Sequence, residues 1–138
     1  MKVQSVASIY LRLALSTGFL SAVASRLSLW GKHSSGWSNF LEYTAQVNSF
    51  LPKNWIPAVA TASTILETTL GVLLLIGFKT KYAAYAAGLL TLLFSFAMMI
   101  SFGLKEPLDY SVFAFSAGAF LLATQHYYKW SVDELIKH

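Results

Sequence analysis

Residues 64–80 read TILETTLGVLLLIGFKT, and Glu67 is the only charged residue between Lys53 and Lys79. Leu-rich segments of this length with one acid are unusual in a water-soluble helix, where the outward face needs polar cover. The run breaks at Gly77, a residue that favours helix ends, and two lysines follow at 79 and 81. Extended backwards to Pro57, the stretch becomes an apolar helix of about 20 residues, the length that crosses a bilayer.

The rest of the chain agrees with that reading. Of 138 residues, 56% are hydrophobic and only 12% charged, with a mean hydropathy of +0.56. A soluble domain of this size carries about 25% charged residues and exposes most of its surface to water. Ten basic and six acidic side chains are too few to cover such a surface, so lipid is the expected solvent over much of it. Four windows qualify as spans: roughly 5–26, 57–78, 82–103 and 108–127. The third is uncharged between Lys81 and Lys105, and the fourth from Tyr110 to Tyr128. No window alternates with period two, which argues against strands. The N-terminal MKVQSVASIYLRLALSTGFLSAVASRL has the outline of a cleavable signal, but Arg12 interrupts its apolar core and further hydrophobic segments follow. It is read as the first membrane helix.

The short turns GFKTK (77–81) and FGLKEPLDY (102–110) predict antiparallel neighbours. The longer connection contains WSNFLEYTAQVNSFL (37–51), with aromatic and aliphatic residues at near-helical spacing, and is expected to form an amphipathic helix on the membrane surface or over the bundle mouth. The expected fold is therefore all-α: an integral membrane antiparallel four-helix bundle with a short amphipathic helix between its first two helices, 1–138 forming a single domain. All four tryptophans fall outside the spans or at their ends, as an interfacial aromatic belt requires. Lys2, Lys79, Lys81, Lys129 and Lys137 would lie on one side, against Arg26, Lys32, Lys53 and Lys105 on the other, which favours an inner-membrane protein with both termini inside.

Inside the spans, Arg12 and Glu67 form the candidate polar site. Arg12 lies about six residues into the first helix and Glu67 about ten into the second, placing them roughly 9 Å and 16 Å from one membrane face. Buried charges in lipid pair, so Arg12 and Glu67 are expected to meet, with Ser16, Ser63 and Thr64 beside them. The same pair serves equally as a structural device that fixes register. Asp109 is a weaker candidate, read as a helix-start cap, and His126 is another, positioned where it could ligate haem or meet a quinone carbonyl. A stripe of Ala84, Gly88, Thr91 and Ser95 on the third span reads as a close-packing surface. The absence of cysteine removes disulfides and thiolate metal sites, no metal-ligand or nucleotide-binding motif is present, and the basic residues are too dispersed for nucleic acid.

YLRLALSTGFLSAVASRL, then ETTLGVLLLIGFKTKYAAYAAGLL and PLDYSVF, resemble the DoxX family of small four-helix membrane proteins. Leu11 and Arg12 match its Leu-Arg in helix one; Glu67, Gly71, Gly77, Thr80 and Lys81 match its second-helix pattern. The resemblance implies a multi-pass membrane protein, and two functional classes. One is the quinone-interacting membrane subunit of an oxidoreductase complex, with quinone as its ligand and Arg12 and Glu67 at the quinone oxygens. The other is a non-enzymatic assembly or docking protein in which the Arg–Glu pair is structural. The implied partners are the lipid bilayer, a redox or client protein subunit, or a second copy of the chain.

Overall fold

The computed structural model describes residues 2–136; Lys137, counted above for orientation, and His138 lie outside them. Among the described residues there is no strand. The helices are α1 (Val3–Arg26), α2 (Trp37–Val47), α3 (Ile56–Ile76), α4 (Thr80–Phe102), α5 (Lys105–Asp109), α6 (Val112–Ala123) and α7 (Val132–Ile136), with 3-10 turns at Gly31–His33 and Lys53–Trp55. Three segments, beginning at Val3, Lys53 and Thr80, are long and apolar enough to cross a membrane. They correspond to the first three expected spans within a few residues.

The fourth expected span differs. Its window, 108–127, divides into the end of α5, a break at Tyr110 and Ser111, the 12 residues of α6, and a non-helical run from Thr124. Ser111 takes a left-handed conformation (φ 57°), so the backbone changes direction before α6 begins. At 1.5 Å per residue α6 is about 18 Å long, short of a bilayer core. The apolar run of this window is α6 itself, with Asp109, Tyr110 and Ser111 before it and Thr124, Gln125 and His126 after, and an average over the window hides both polar ends.

α1 packs against α3, and α4 against α6, as the two principal pairs. The α1–α3 contact closes around Gly71, where a Cβ would lie 2.8 Å from Leu20 Cγ. The stripe Ala84, Gly88, Thr91 and Ser95 is buried, and Ser116 Oγ donates to the Gly88 carbonyl at 2.7 Å. Without water to drive apolar surfaces together, such close approaches and interhelical hydrogen bonds hold membrane helices in register. Leu15, Phe19, Leu70, Leu74, Ala87 and Leu122 form the centre of the core, with Phe19 and Phe115 edge to face at 5.1 Å. The outward faces are apolar: Ile65, Leu93, Ile100 and Leu121 are each more than 60% exposed.

The segment after α6 folds back beneath the bundle. Tyr128 enters the core and donates to the Leu122 carbonyl at 2.9 Å. Gly77, left-handed at φ +72°, ends α3 where Ser131 crosses it; a Cβ there would lie 2.3 Å from Ser131 Cβ. No local side chain caps α4. Asp133 does so from more than fifty residues away, accepting from the backbone N–H of Lys79 at 2.7 Å and Thr80 at 2.8 Å. A carboxylate at a helix start satisfies orphan donors and meets the positive end of the dipole.

Candidate functional site

Glu67 is buried in the middle of α3 at 4% exposure, and its partner is Arg26. One guanidinium nitrogen, Nη1, contacts Oε2, and Nη2 donates to Oε1 at 3.0 Å. Nη1 also donates to Thr64 Oγ1 at 3.1 Å, one turn before Glu67. Phe40 of α2 lies over the guanidinium, its ring centre 3.8 Å from Cζ. The site therefore draws on three elements: the last turn of α1, the middle of α3, and the amphipathic α2. Fork-to-fork pairing of this kind fixes both groups in one plane, and the aromatic face adds a cation–π contact in a desolvated setting.

The expected Arg12–Glu67 pair is thus corrected. Arg12, 4% exposed, donates from Nη1 to the Lys129 carbonyl at 3.1 Å and from Nη2 to the Trp130 carbonyl at 2.7 Å. The depth estimate placed both charges at reachable heights but took no account of the chain after α6, which brings two carbonyls closer to Arg12 than Glu67 is. Ser16, buried near Arg12, donates to Leu13 within its own helix and takes no part in the pair. Ser63 is buried one turn before Glu67 and donates to Ala60 at 3.1 Å. Thr64 is brought in as expected.

Asp109 does not open a long helix. It ends α5, exposed, and pairs with Lys105 one turn earlier, while Ser111 stands at the start of α6. His126 is exposed on a groove wall at the bundle end where α1 begins.

The residues missed were Arg26, Phe40 and Asp133. For Arg26 a signal was present: it stands fourteen residues, about four helical turns, beyond Arg12, on the face that buries Ser16, Phe19 and Val23. Phe40 and Asp133 reach their positions through loop folding, which leaves no periodic trace.

Two apolar hollows flank the pair. One, of about 390 Å³, lies under α2 between α3 and α4 and is bounded by Arg26, Phe40, Ser63, Leu93, Phe94 and Met98. The other, of about 490 Å³, is bounded by Glu67, Phe19, Thr91, Phe94 and Phe115. Arg26 faces the first and Glu67 the second, with Phe94 shared between them. An arginine carries five N–H donors; Thr64 and the two oxygens of Glu67 engage three. The other two meet no acceptor among the described residues.

The family model described as methylamine utilisation protein MauE matches residues 4–122, which takes in α1 through nearly all of α6 and includes Arg26 and Glu67. The match agrees with the expectation of a multi-pass membrane-protein family, although it is to MauE and does not extend to DoxX. No curated protein and no solved structure matches the chain.

Proposed function

For a chain that belongs to the MauE family of membrane proteins, we propose a role as a multi-pass membrane subunit that holds a lipid-soluble carbonyl ligand of the quinone type beside the Arg26–Glu67 pair. The observation that carries this reading is the hollow of about 390 Å³ beneath α2, apolar over most of its wall and ending on Arg26 and Ser63. Ligand sites combine an apolar enclosure with a few convergent polar groups. Here the ring would rest among Leu93, Phe94 and Met98, and a carbonyl oxygen would accept from the free N–H groups of Arg26. Glu67, on the far side of the guanidinium, balances its charge. The resemblance to DoxX points the same way. Arg12 and Ser16 are not part of the proposed site.

The architecture belongs to the same proposal. Residues 1–138 act as one transmembrane unit, α5 and α6 together complete a fourth crossing, and the chain sits in the inner membrane with both termini inside. The name of the matched family speaks of methylamine utilisation, and a protein partner in such a system fits a small subunit with little chemistry of its own.

One observation favours a second reading. Both oxygens of Glu67 are occupied by Arg26, and Phe40 closes over the guanidinium. A carboxylate with both oxygens engaged suits a structural brace in a non-enzymatic assembly protein, with α2 presented to a client.

Quinone extraction from gently purified protein separates the two. Near-stoichiometric quinone with the wild type, lost in folded Arg26→Gln and retained in Arg12→Gln, is the expected result. Absence of quinone in wild type, with Arg26→Gln and Glu67→Gln altering only the melting temperature, would overturn the ligand reading and leave the brace.

A further inference from the structure

The bundle end where α1 begins carries a further, quite different concavity. It is a groove of about 900 Å³ bordered by the start of α4 and the segment after α6. Three lysines line it: Lys79, Lys81 and Lys129. Among the described residues none of these ammonium groups has a carboxylate partner, since the two ion pairs are Arg26–Glu67 and Lys105–Asp109.

Two acids also line the groove, and both are committed to backbone donors. Asp133 caps the N–H groups of Lys79 and Thr80. Glu134 accepts from the Trp130 N–H at 2.7 Å. Both carboxylates are thus held by backbone donors, and none of the three lysines is paired with them. The opposite end of the bundle is different: Lys32, Lys53 and Lys105 there are matched in number by Glu42, Glu106 and Asp109. Around the groove the three lysines outnumber the two carboxylates, and both carboxylates are already engaged by backbone N–H groups.

The groove is also rigid. Arg12 holds the Lys129 and Trp130 carbonyls, Tyr128 anchors in the core, and the Asp133 N–H donates to the Gly77 carbonyl at 2.9 Å. Lys79 is left-handed at φ 50°, a strained backbone that its surroundings maintain. The lysines therefore project from a fixed frame.

Above the charged floor, Tyr82 and Tyr85 of α4 form a wall, and the seam between α4 and α6 continues into the apolar surface with exposed Leu89 and Leu121. Tyr85 lies 6.4 Å from Phe120 across that seam. Charge at headgroup level beneath an aromatic step and an aliphatic track matches one ligand chemistry, a phosphate ester attached to acyl chains. We propose that this groove is a binding site for an anionic phospholipid, its phosphate among Lys79, Lys81 and Lys129 and one acyl chain along the α4–α6 seam. The site is separate from the Arg26–Glu67 pair, at the other end of the bundle, and does not depend on what that pair binds.

The test uses the full chain in mild detergent, with phosphatidylglycerol, phosphatidylcholine and glycerol 3-phosphate as probes and native mass spectrometry as readout. Wild type is expected to retain phosphatidylglycerol in preference to phosphatidylcholine. The triple variant Lys79→Gln, Lys81→Gln, Lys129→Gln is expected to lose that retention on the order of tenfold or more, because each lysine near a lipid phosphate contributes appreciably. The matched control Lys32→Gln, Lys53→Gln, Lys105→Gln is expected to bind as wild type does. Equal loss in the control, or equal retention of phosphatidylcholine, would overturn the proposal in favour of diffuse attraction. Displacement of the lipid by equimolar glycerol 3-phosphate would overturn the acyl-chain half and make the ligand a soluble phosphate. Should the triple variant unfold, Lys81→Gln and Lys129→Gln singly supply the same comparison, and unchanged retention in both overturns the site.

Discussion

Tyr128 shows how one residue can tie protonation to folding. Burial, then the negative charge of Asp133, then Tyr85 push its phenol up to about 12, against an ordinary value near 10. Because the folded state favours the neutral phenol, its contribution is fully present below pH 10 and is lost as pH rises through about 12. Stability measured by thermal unfolding in micelles is expected to fall across that window. Tyr128→Phe should remove the part of the decline owed to this phenol and cost about 1 kcal/mol at pH 8, the usual net value of one hydrogen bond. An identical pH profile in the variant would show that other groups govern alkaline unfolding. The charged residues make a related point at this scale. Glu67 was recognisable from sequence as a group needing a partner, since an isolated carboxylate in an apolar helix is costly. Which arginine answers it was not, because Arg12 and Arg26 lie on the same face of α1 and both have the reach.

Among the elements, α1 and the segment after α6 are coupled through Arg12. Its planar fork spans two successive carbonyls, a geometry that a lysine ammonium cannot reproduce. Removing the fork leaves those carbonyls to find other donors and loosens a segment whose further ties are the Tyr128 anchor and the Asp133 cap. In Arg12→Gln, and equally in Arg12→Lys, the amide of Asp133 is expected to exchange with deuterium on the order of tenfold faster, while α2 and the middle of α3 stay protected. Faster exchange throughout the bundle would mean that Arg12 supports the whole fold and is no local latch. The amphipathic α2 was foreseen from its spacing, and its fixed position over the hollow comes from tertiary contacts: Arg26 against Phe40, and Ser101 bonded to the Val47 carbonyl and to Ser49. Neither serine is distinctive in the sequence.

For the whole molecule, the structure gathers Asn54 and Leu104 toward one end of the bundle and Thr124 toward the other, through the Ser49–Ser101 contact at the first and the Ser5–Tyr127 contact at the second. The chain has no cysteine, so single-cysteine labelling needs no prior substitutions. With an impermeant maleimide on intact cells, Asn54→Cys and Leu104→Cys are expected to react, and Thr124→Cys only after the membrane is opened. That pattern follows from the proposed four crossings with both termini inside; labelling of Thr124→Cys from outside, alone or with the others, would contradict the proposal. Length, hydropathy and turn residues determined by themselves that this chain is helical, and nearly where three of the four expected spans begin and end. Those properties are local, set by consecutive side chains and by glycines at the breaks. Tertiary structure alone decided that Arg26 pairs with Glu67, that Arg12 serves two backbone carbonyls, that Asp133 caps α4, and that the last apolar window is broken at Ser111. Partner choice among buried charges depends on helix rotation, crossing position and the path of distant loops, and hydropathy averages over all three.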